Sequence, residues 1–411
     1  MTWSTPLSLP TPTRLTHLAT QPIMKITAVE AIPVNVPLKA GLTTKTAHGE
    51  HHHSPYVVIR IHTDSPHIGL GEATLAPRWS GETSPGALAV VEGLLAPLLC
   101  GHDPTQLQPL RRALDGAIRL NPFTKAAVEM ALWDLAGKSL GVPVYQLLGG
   151  KLRDALPIKL VVGAFEVPRA VELAEQFLAW GARCLKVKVG LDPEQDLQRV
   201  RAVRELAGPD IPIGIDANCG WNAMQARRML KELASCELLF AEQPIPVGDP
   251  VDLATLRNAT DTPIMADESV FTLQDAWQLT KHHAVDLLSV YPGKQGGLLA
   301  TCEIAHVAQA AGIACSMGSN LELGIGTAAM LHLGATVEAI DSVAFPGDFI
   351  GPLYHESDLL TTPLNLGPEV ARVPDGPGLG VELDEEQIEK YRDRSGQASA
   401  LGTTTETHFT G

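Results

Sequence analysis

Apolar and polar residues alternate from Met24 to about residue 75, as in ITAVEAIPVNV and YVVIRIHT. A period of two marks strands with one buried face, so these runs predict a small antiparallel sheet. Between them, AGLTTKTAHGEHHHSP is polar, carries four histidines and reads as a loop. From Ala87 to Gly150 the period becomes helical. AAVEMALWDLAGKSLG sets Val128, Leu132, Leu135 and Leu140 near one face, and Gly141 with Pro143 stops the helix. From about Leu156 the texture changes again. Seven short apolar runs (LPIKLVVGA, CLKVKV, IPIGIDA, LLFAEQ, TPIMADES, VDLLSV and GIACSMGS) recur at even spacing, most followed by an amphipathic stretch such as PEQDLQRVRAVRELAG. Strand alternating with helix implies right-handed βαβ units and a parallel sheet, and seven or eight units favour closure into an α/β barrel. An eighth strand near Ala344 would be short. After Pro352 the chain returns to loops, a short strand in GPGLGVEL and an acidic helix in DEEQIEKYR.

These textures divide the chain. Residues 1–23 form a Pro- and Thr-rich, poorly ordered extension, 24–152 an α+β unit, 153–352 the barrel, and 394–411 a flexible Ser/Thr/Gly-rich tail. The extension lacks a continuous apolar stretch and does not read as a secretory signal. The length of 411 residues suits a barrel of roughly 250 residues plus a smaller unit.

Charge narrows the partners. With 46 Asp+Glu against 31 Lys+Arg, the net charge is -15, which disfavours nucleic acid and anionic membrane surfaces. No apolar run approaches the roughly 18 residues of a membrane span. The six cysteines include no C-x-x-C pair and read as reduced core residues, so a cytoplasmic location is expected.

Chemistry gathers where the apolar runs finish, the end of a barrel that carries active sites. Asp216 ends GIDA, Glu242 ends LLFAE and Asp267 ends IMAD, each about one βα unit from the next. Three carboxylates converging there would repel one another, and a hard dication relieves this. All-oxygen ligation suits Mg²⁺, with Mn²⁺ as a substitute. Lys186 and Lys188, two apart in CLKVKVG, share the inward face. A nearby cation and a twin ammonium each lower a lysine's pKa, which makes Lys188 a plausible base and Lys186 its orienting or carboxylate-binding partner. Asn218 faces the same way as Asp216. Gln243 and Glu268 each follow a ligand candidate by one residue and are expected to point elsewhere, supporting the ligands from outside. Ser319 and Glu322, in GSNLELGIG, are placed to touch substrate or shape the site. Specificity is expected from the His-rich loop, from GETSPG near Gly81 and from Phe165 at the first strand end.

In order and spacing, GLGEA, AAVEMALWDLAGK, PVYQLLGG, KVKVG, GIDAN, AEQP, ADES, KQGGL, SNLELGIGTAAMLHLGA and GPGLGV resemble the enolase superfamily, in its muconate cycloisomerase (muconate lactonizing) and mandelate racemase branch. The likeness covers residues 24 to about 392. It implies a (β/α)7β barrel under a capping domain built from the N-terminal block and residues 353–393. It also implies Mg²⁺ on Asp216, Glu242 and Asp267, and proton abstraction α to the carboxylate of a small substrate by Lys186 or Lys188. Barrels of this kind often assemble as homodimers or octamers. One position departs from the family. Five residues before the GG at Gly296, where cycloisomerases and dipeptide epimerases carry a lysine, this chain has Tyr291, and Lys294 lies three residues farther on. A phenol near pKa 10 is a reluctant base, so the departure favours chemistry on one face. Muconate-type cycloisomerisation leads because of LELGIG. Dehydration of a hydroxy acid, including sugar acids and hydroxyprolines, comes next. Epimerisation of an amino-acid derivative or dipeptide needs Tyr291 or Lys294 to act opposite the lysine pair. A non-catalytic scaffold is the alternative from another class.

Overall fold

The computed structural model describes residues 24–42, 44–51 and 53–394. The extension expected at 1–23, the tail beyond residue 394 and the histidine side chains at 51–53 lie outside them. Strands β1 (Ile26–Pro37), β2 (Thr44–Thr46), β3 (Gly49–His51), β4 (His53–Thr63) and β5 (Ile68–Thr74) open the chain. β1, β4 and β5 form the expected antiparallel sheet in that order. β2 and β3 pair into a hairpin where the sequence suggests only a loop, with Gly49 at φ 126° closing the turn.

The helix Pro122–Leu140 corrects a second expectation. Its residues from Phe123 to Gly137 are buried almost all round rather than along one stripe, while Leu140 is 62% exposed. The helix lies between the cap sheet and the barrel. On one side it meets β5, where Gly69 and Gly71 remove the side chains that would block contact. On the other, Glu129 accepts bonds from Leu298 and Leu299 N–H at the start of a barrel helix. A Cβ on Gly71 would stand 1.8 Å from Ala127 O. Gly71→Ala is therefore expected to cost about 3 kcal/mol, the upper end of overpacking, read as a fall in the urea midpoint. An unchanged midpoint would show that sheet and helix can separate freely.

Strand β6 (Ala155–Pro157) leads into β7 (Leu160–Val162), β8 (Leu185–Lys188), β9 (Ile213–Asp216), β10 (Ala241–Glu242), β11 (Ile264–Ala266), β12 (Leu287–Val290) and β13 (Ala314–Met317). The last seven form one parallel sheet in chain order. The eighth position, foreseen as short, holds only single bridges, Cys315–Ile340 and Ile158–Gly347, which join the two sheet edges through residues 340–347. β14 (Val370–Arg372) pairs with β6. It falls earlier than the strand expected in GPGLGVEL, because Gly378 and Gly380 take left-handed φ of 71° and 69° and turn the chain there.

Period-two alternation sorts the barrel residues. Those facing the helices, such as Leu185, Val187, Ile213, Ile215, Ile264 and Leu288, join the main core. Phe240, Met265 and Leu287 form a separate buried cluster, with Ala314 and Phe345 packed against it. Each lies two or four residues before an inward polar side chain (Glu242, Asp267, Tyr291), so this cluster fills the lower interior and the polar layer rests on it. All six cysteines are free thiols. Among the described residues no helix is long and apolar enough to cross a membrane.

Candidate active site

Asp216, Glu242 and Asp267 sit at the ends of three neighbouring strands. Asp216 is in register with Glu242, and Glu242 with Met265, two residues before Asp267. All three are buried, as are Lys186 and Lys188. Each carboxylate is held by an ammonium. Lys188 Nζ donates to Asp216 Oδ2 (2.5 Å) and Asn218 Oδ1 (2.9 Å). Lys186 Nζ donates to Glu242 Oε2 (2.9 Å) and Asp348 Oδ2 (2.6 Å), and lies 3.8 Å from Asp216 Oδ2. Lys294 Nζ donates to Asp267 Oδ1 (2.5 Å), Asp267 O (2.8 Å) and Ser289 O (2.8 Å).

The surroundings decide the protonation of each group. Burial pushes Asp216 up, but two lysines outweigh it and hold the carboxyl below its usual range. Asp267 sees one lysine against Glu268 and Glu242; burial and these two carboxylates win, leaving it at about 7. Burial alone would lower Lys186, yet Asp348, Glu242 and Asp216 raise it well above an ordinary lysine. For Lys186 this reverses the expected downward shift, and the largest upward contribution comes from Asp348, a partner not foreseen from sequence. Lys159, also unforeseen, donates to Pro346 O (2.7 Å) and Ser316 Oγ (3.0 Å) and lies 3.4 Å from Asp348. Burial lowers its pKa, with Asp348 opposing. Lys159, Asp348, Lys186 and Glu242 thus form a buried ladder of alternating charge.

Tyr291 is buried, and its phenol is pushed well above 10 by burial and by Asp267, Glu322, Glu268 and Glu242. Its ring lies 5.0 Å from Lys294 Nζ. Burial raises Glu322, whose carboxylate accepts from Ser319 Oγ (2.5 Å) and Asn320 N–H (3.0 Å). Gln243 Oε1 accepts from Asp267 N–H (3.0 Å) and Ser269 N–H (3.1 Å). Glu268 does not point away. β11 ends at Ala266, so strand alternation no longer applies, and Glu268 Oε1 accepts from Asn218 Nδ2 (3.1 Å) and pairs with His48 Nε2 (2.9 Å). Phe165 is half-buried at the end of the first barrel strand, where its carbonyl accepts from Arg199 Nε (2.6 Å). In GETSPG, Glu82 turns inward to the start of the helix Pro122–Leu140, accepting from Thr124 N–H (2.8 Å) and Phe123 N–H (3.2 Å).

His48 belongs to the β2–β3 hairpin. Lys45 O of that hairpin accepts from Ala164 N–H (2.8 Å) just beyond β7. β7 and β11 are the first and fifth strands of the barrel. The hairpin is therefore a strap across the mouth, tied at one side to the backbone and at the other to Glu268. Arg78 holds His48 O (2.8 Å), and the Trp79 ring lies edge-on to the imidazole at 5.3 Å.

Among the described residues no three His, Cys, Asp or Glu side chains are gathered as a ready-made metal cluster. The donor chemistry nevertheless suits a hard cation. Asp216, Glu242, Asp267, Glu268, Glu322 and Asp348 are six carboxylates facing four lysines (159, 186, 188 and 294), which leaves two formal negative charges in excess. Asp216 and Glu242 already share one cation, Lys186 Nζ.

Residues 27–149 match the model of the mandelate racemase / muconate lactonizing enzyme N-terminal domain, and residues 169–387 match the enolase C-terminal domain-like model. An N-succinyl-L-Arg/Lys racemase of Bacillus cereus is 30% identical, covering 89% of this chain and 98% of the racemase. A chloromuconate cycloisomerase of Cupriavidus pinatubonensis is 34% identical over 84% of this chain and 93% of that enzyme. Among solved structures, muconate lactonizing enzyme from Pseudomonas fluorescens, complexed with muconolactone, superposes with a TM-score of 0.86 at 31% identity, covering 90% of this chain and 100% of that one. A dipeptide epimerase from Cytophaga hutchinsonii, complexed with Mg and the dipeptide D-Ala-L-Val, gives 0.84 at 31% identity, over 89% and 98% of the two chains.

Proposed function

Because this chain belongs to the mandelate racemase / muconate lactonizing enzyme branch of the enolase superfamily, we propose that it abstracts the proton α to a substrate carboxylate on one face only, with Lys188 as the base. The chain is an enzyme of a group whose relatives are isomerases, racemases and epimerases, so the scaffold alternative falls. When bound by Asp216, Glu242 and Asp267, a hard dication such as Mg²⁺ would take up part of the charge that the carboxylate gains as its α-carbon is deprotonated. Lys186, pinned between Glu242 and Asp348, acts as a fixed cation toward the carboxylate. Lys188 is the more exposed of the two and stands nearer the mouth, where Asn218 orients its amine.

The observation that carries the one-face reading is Lys294. Its three N–H donors are all spent on Asp267 and Ser289, and its side chain is 0% exposed, so it has no free valence to offer a substrate. Tyr291, its phenol pushed well above the ordinary pKa, stays protonated and offers no second base. A two-base epimerase lacks its second base here. The one-face chemistry is cycloisomerase-like, with loss of water as the alternative. The mass of the product separates them.

In deuterated solvent, the substrate α-proton is expected to exchange without inversion, followed by NMR and chiral chromatography. Tyr291→Phe should keep that exchange. Inversion by the wild type, abolished in Tyr291→Phe, would overturn the one-face reading in favour of epimerisation.

A further inference from the structure

Glu268 carries more than the latch to His48. Its Oε1 is committed to Asn218 and His48, whereas its Oε2 is buried with no hydrogen-bond partner. The side chain is 7% exposed. Asn218 links Oε1 directly to Lys188, since Lys188 Nζ donates to Asn218 Oδ1. The carboxylate that bears the bare oxygen is therefore two hydrogen bonds from the proposed base, and its other oxygen is tied to the strap through His48. Asp267, Tyr291 and Cys219 all feel its charge. A buried carboxylate oxygen without a donor is costly, and such an atom marks a missing partner.

We propose that Glu268 Oε2 receives a cationic nitrogen borne by the substrate, so that the enzyme acts on a zwitterion, an amino or imino acid carboxylate, rather than on a dicarboxylate of the muconate type. This rests on the one-base reading above and names its substrate class. A zwitterion adds no net charge to this buried, carboxylate-rich site, while a dicarboxylate adds two negative charges beside Glu268, Glu322 and Asp267.

An α-ammonium also acidifies the neighbouring C–H, so the preference is read on binding rather than on rate. Isosteric probes differ only in charge: glycine betaine against 3,3-dimethylbutanoate, and proline against cyclopentanecarboxylate, with cis,cis-muconate as the dicarboxylate. Binding is measured on the full chain by calorimetry with saturating Mg²⁺. The expected result is at least tenfold tighter binding of each zwitterion than of its carbon isostere or of muconate. Glu268→Gln should erase that ratio, and His48→Ala, which keeps the carboxylate and removes the latch, should preserve it. Equal binding within each pair, tighter binding of muconate, or a uniform loss for both members in Glu268→Gln would overturn the proposal; the last would make Oε2 a support for the metal. Deuterium exchange at the proline α-carbon is followed in parallel. A charge preference that persists with no exchange on any probe would sink the enolate chemistry and leave the role of Glu268 standing.

Discussion

Lys188→Ala is expected to slow α-proton exchange by roughly 10²–10⁴-fold, the range for loss of a positioned general base, while the protein still binds Mg²⁺. The two halves of this result have one cause. Lys188 Nζ sits on Asp216 Oδ2 at 2.5 Å, so the amine that would remove the proton also neutralises a proposed metal ligand. Its removal frees that oxygen, and Mg²⁺ affinity should hold or rise. Lys186 cannot take over, because Asp348 and Glu242 keep it charged and in place. Calorimetry with Mg²⁺ and exchange rates by NMR read the two halves separately. Exchange within a few-fold of wild type would remove Lys188 from the mechanism, and joint loss of exchange and metal binding would make it a structural residue.

Asp348→Ala is expected to produce the largest loss of stability, about 3–5 kcal/mol, the usual cost of leaving a buried charge without its partner. Asp348 is 2% exposed and lies 2.6 Å from Lys186 and 3.4 Å from Lys159. Without it, two buried ammoniums face each other across the ladder. Lys159 is already lowered by its burial, so it is the member expected to lose its proton. Adding Lys159→Met to Asp348→Ala removes one stranded charge and should recover part of the loss, measured by urea unfolding of the four members of a double-mutant cycle. Strictly additive losses would show that the ladder is not a coupled unit.

What could be read from sequence and what could not divide along a physical line. Asp216, Glu242 and Asp267 were legible because a polar residue closing an apolar strand run has few other places to face. Lys186 and Lys188 were legible because a short strand fixes side-chain direction through its period of two. That rule fails where the strand stops. Glu268 follows Ala266 by two residues, outside β11, and turns toward the mouth instead of away from it. Asp348 lies in the strandless eighth position, where no alternation gives it a direction. Lys159 sits just before β7 in an apolar run and looks like an ordinary interruption of it. The hairpin could not be phased either, because its tie to Glu268 spans 220 residues and no local pattern reports so distant a pairing. The specificity expected from GETSPG does not separate its Glu82 from a substrate-facing group, because a carboxylate that caps a helix and one that faces substrate look alike in sequence.

The apolar plug of Phe240, Met265 and Leu287 bears on isotope experiments. It gives the barrel a dry floor, and the hairpin stretched from β7 to Glu268 gives it a roof. A hydron lifted from the substrate has no rear exit. It can wash into bulk solvent only when the roof lifts, so return to the carbon it came from competes with escape. Label retained in a single turnover then becomes a clock for the hairpin, and loosening the latch at His48 should make that clock run faster.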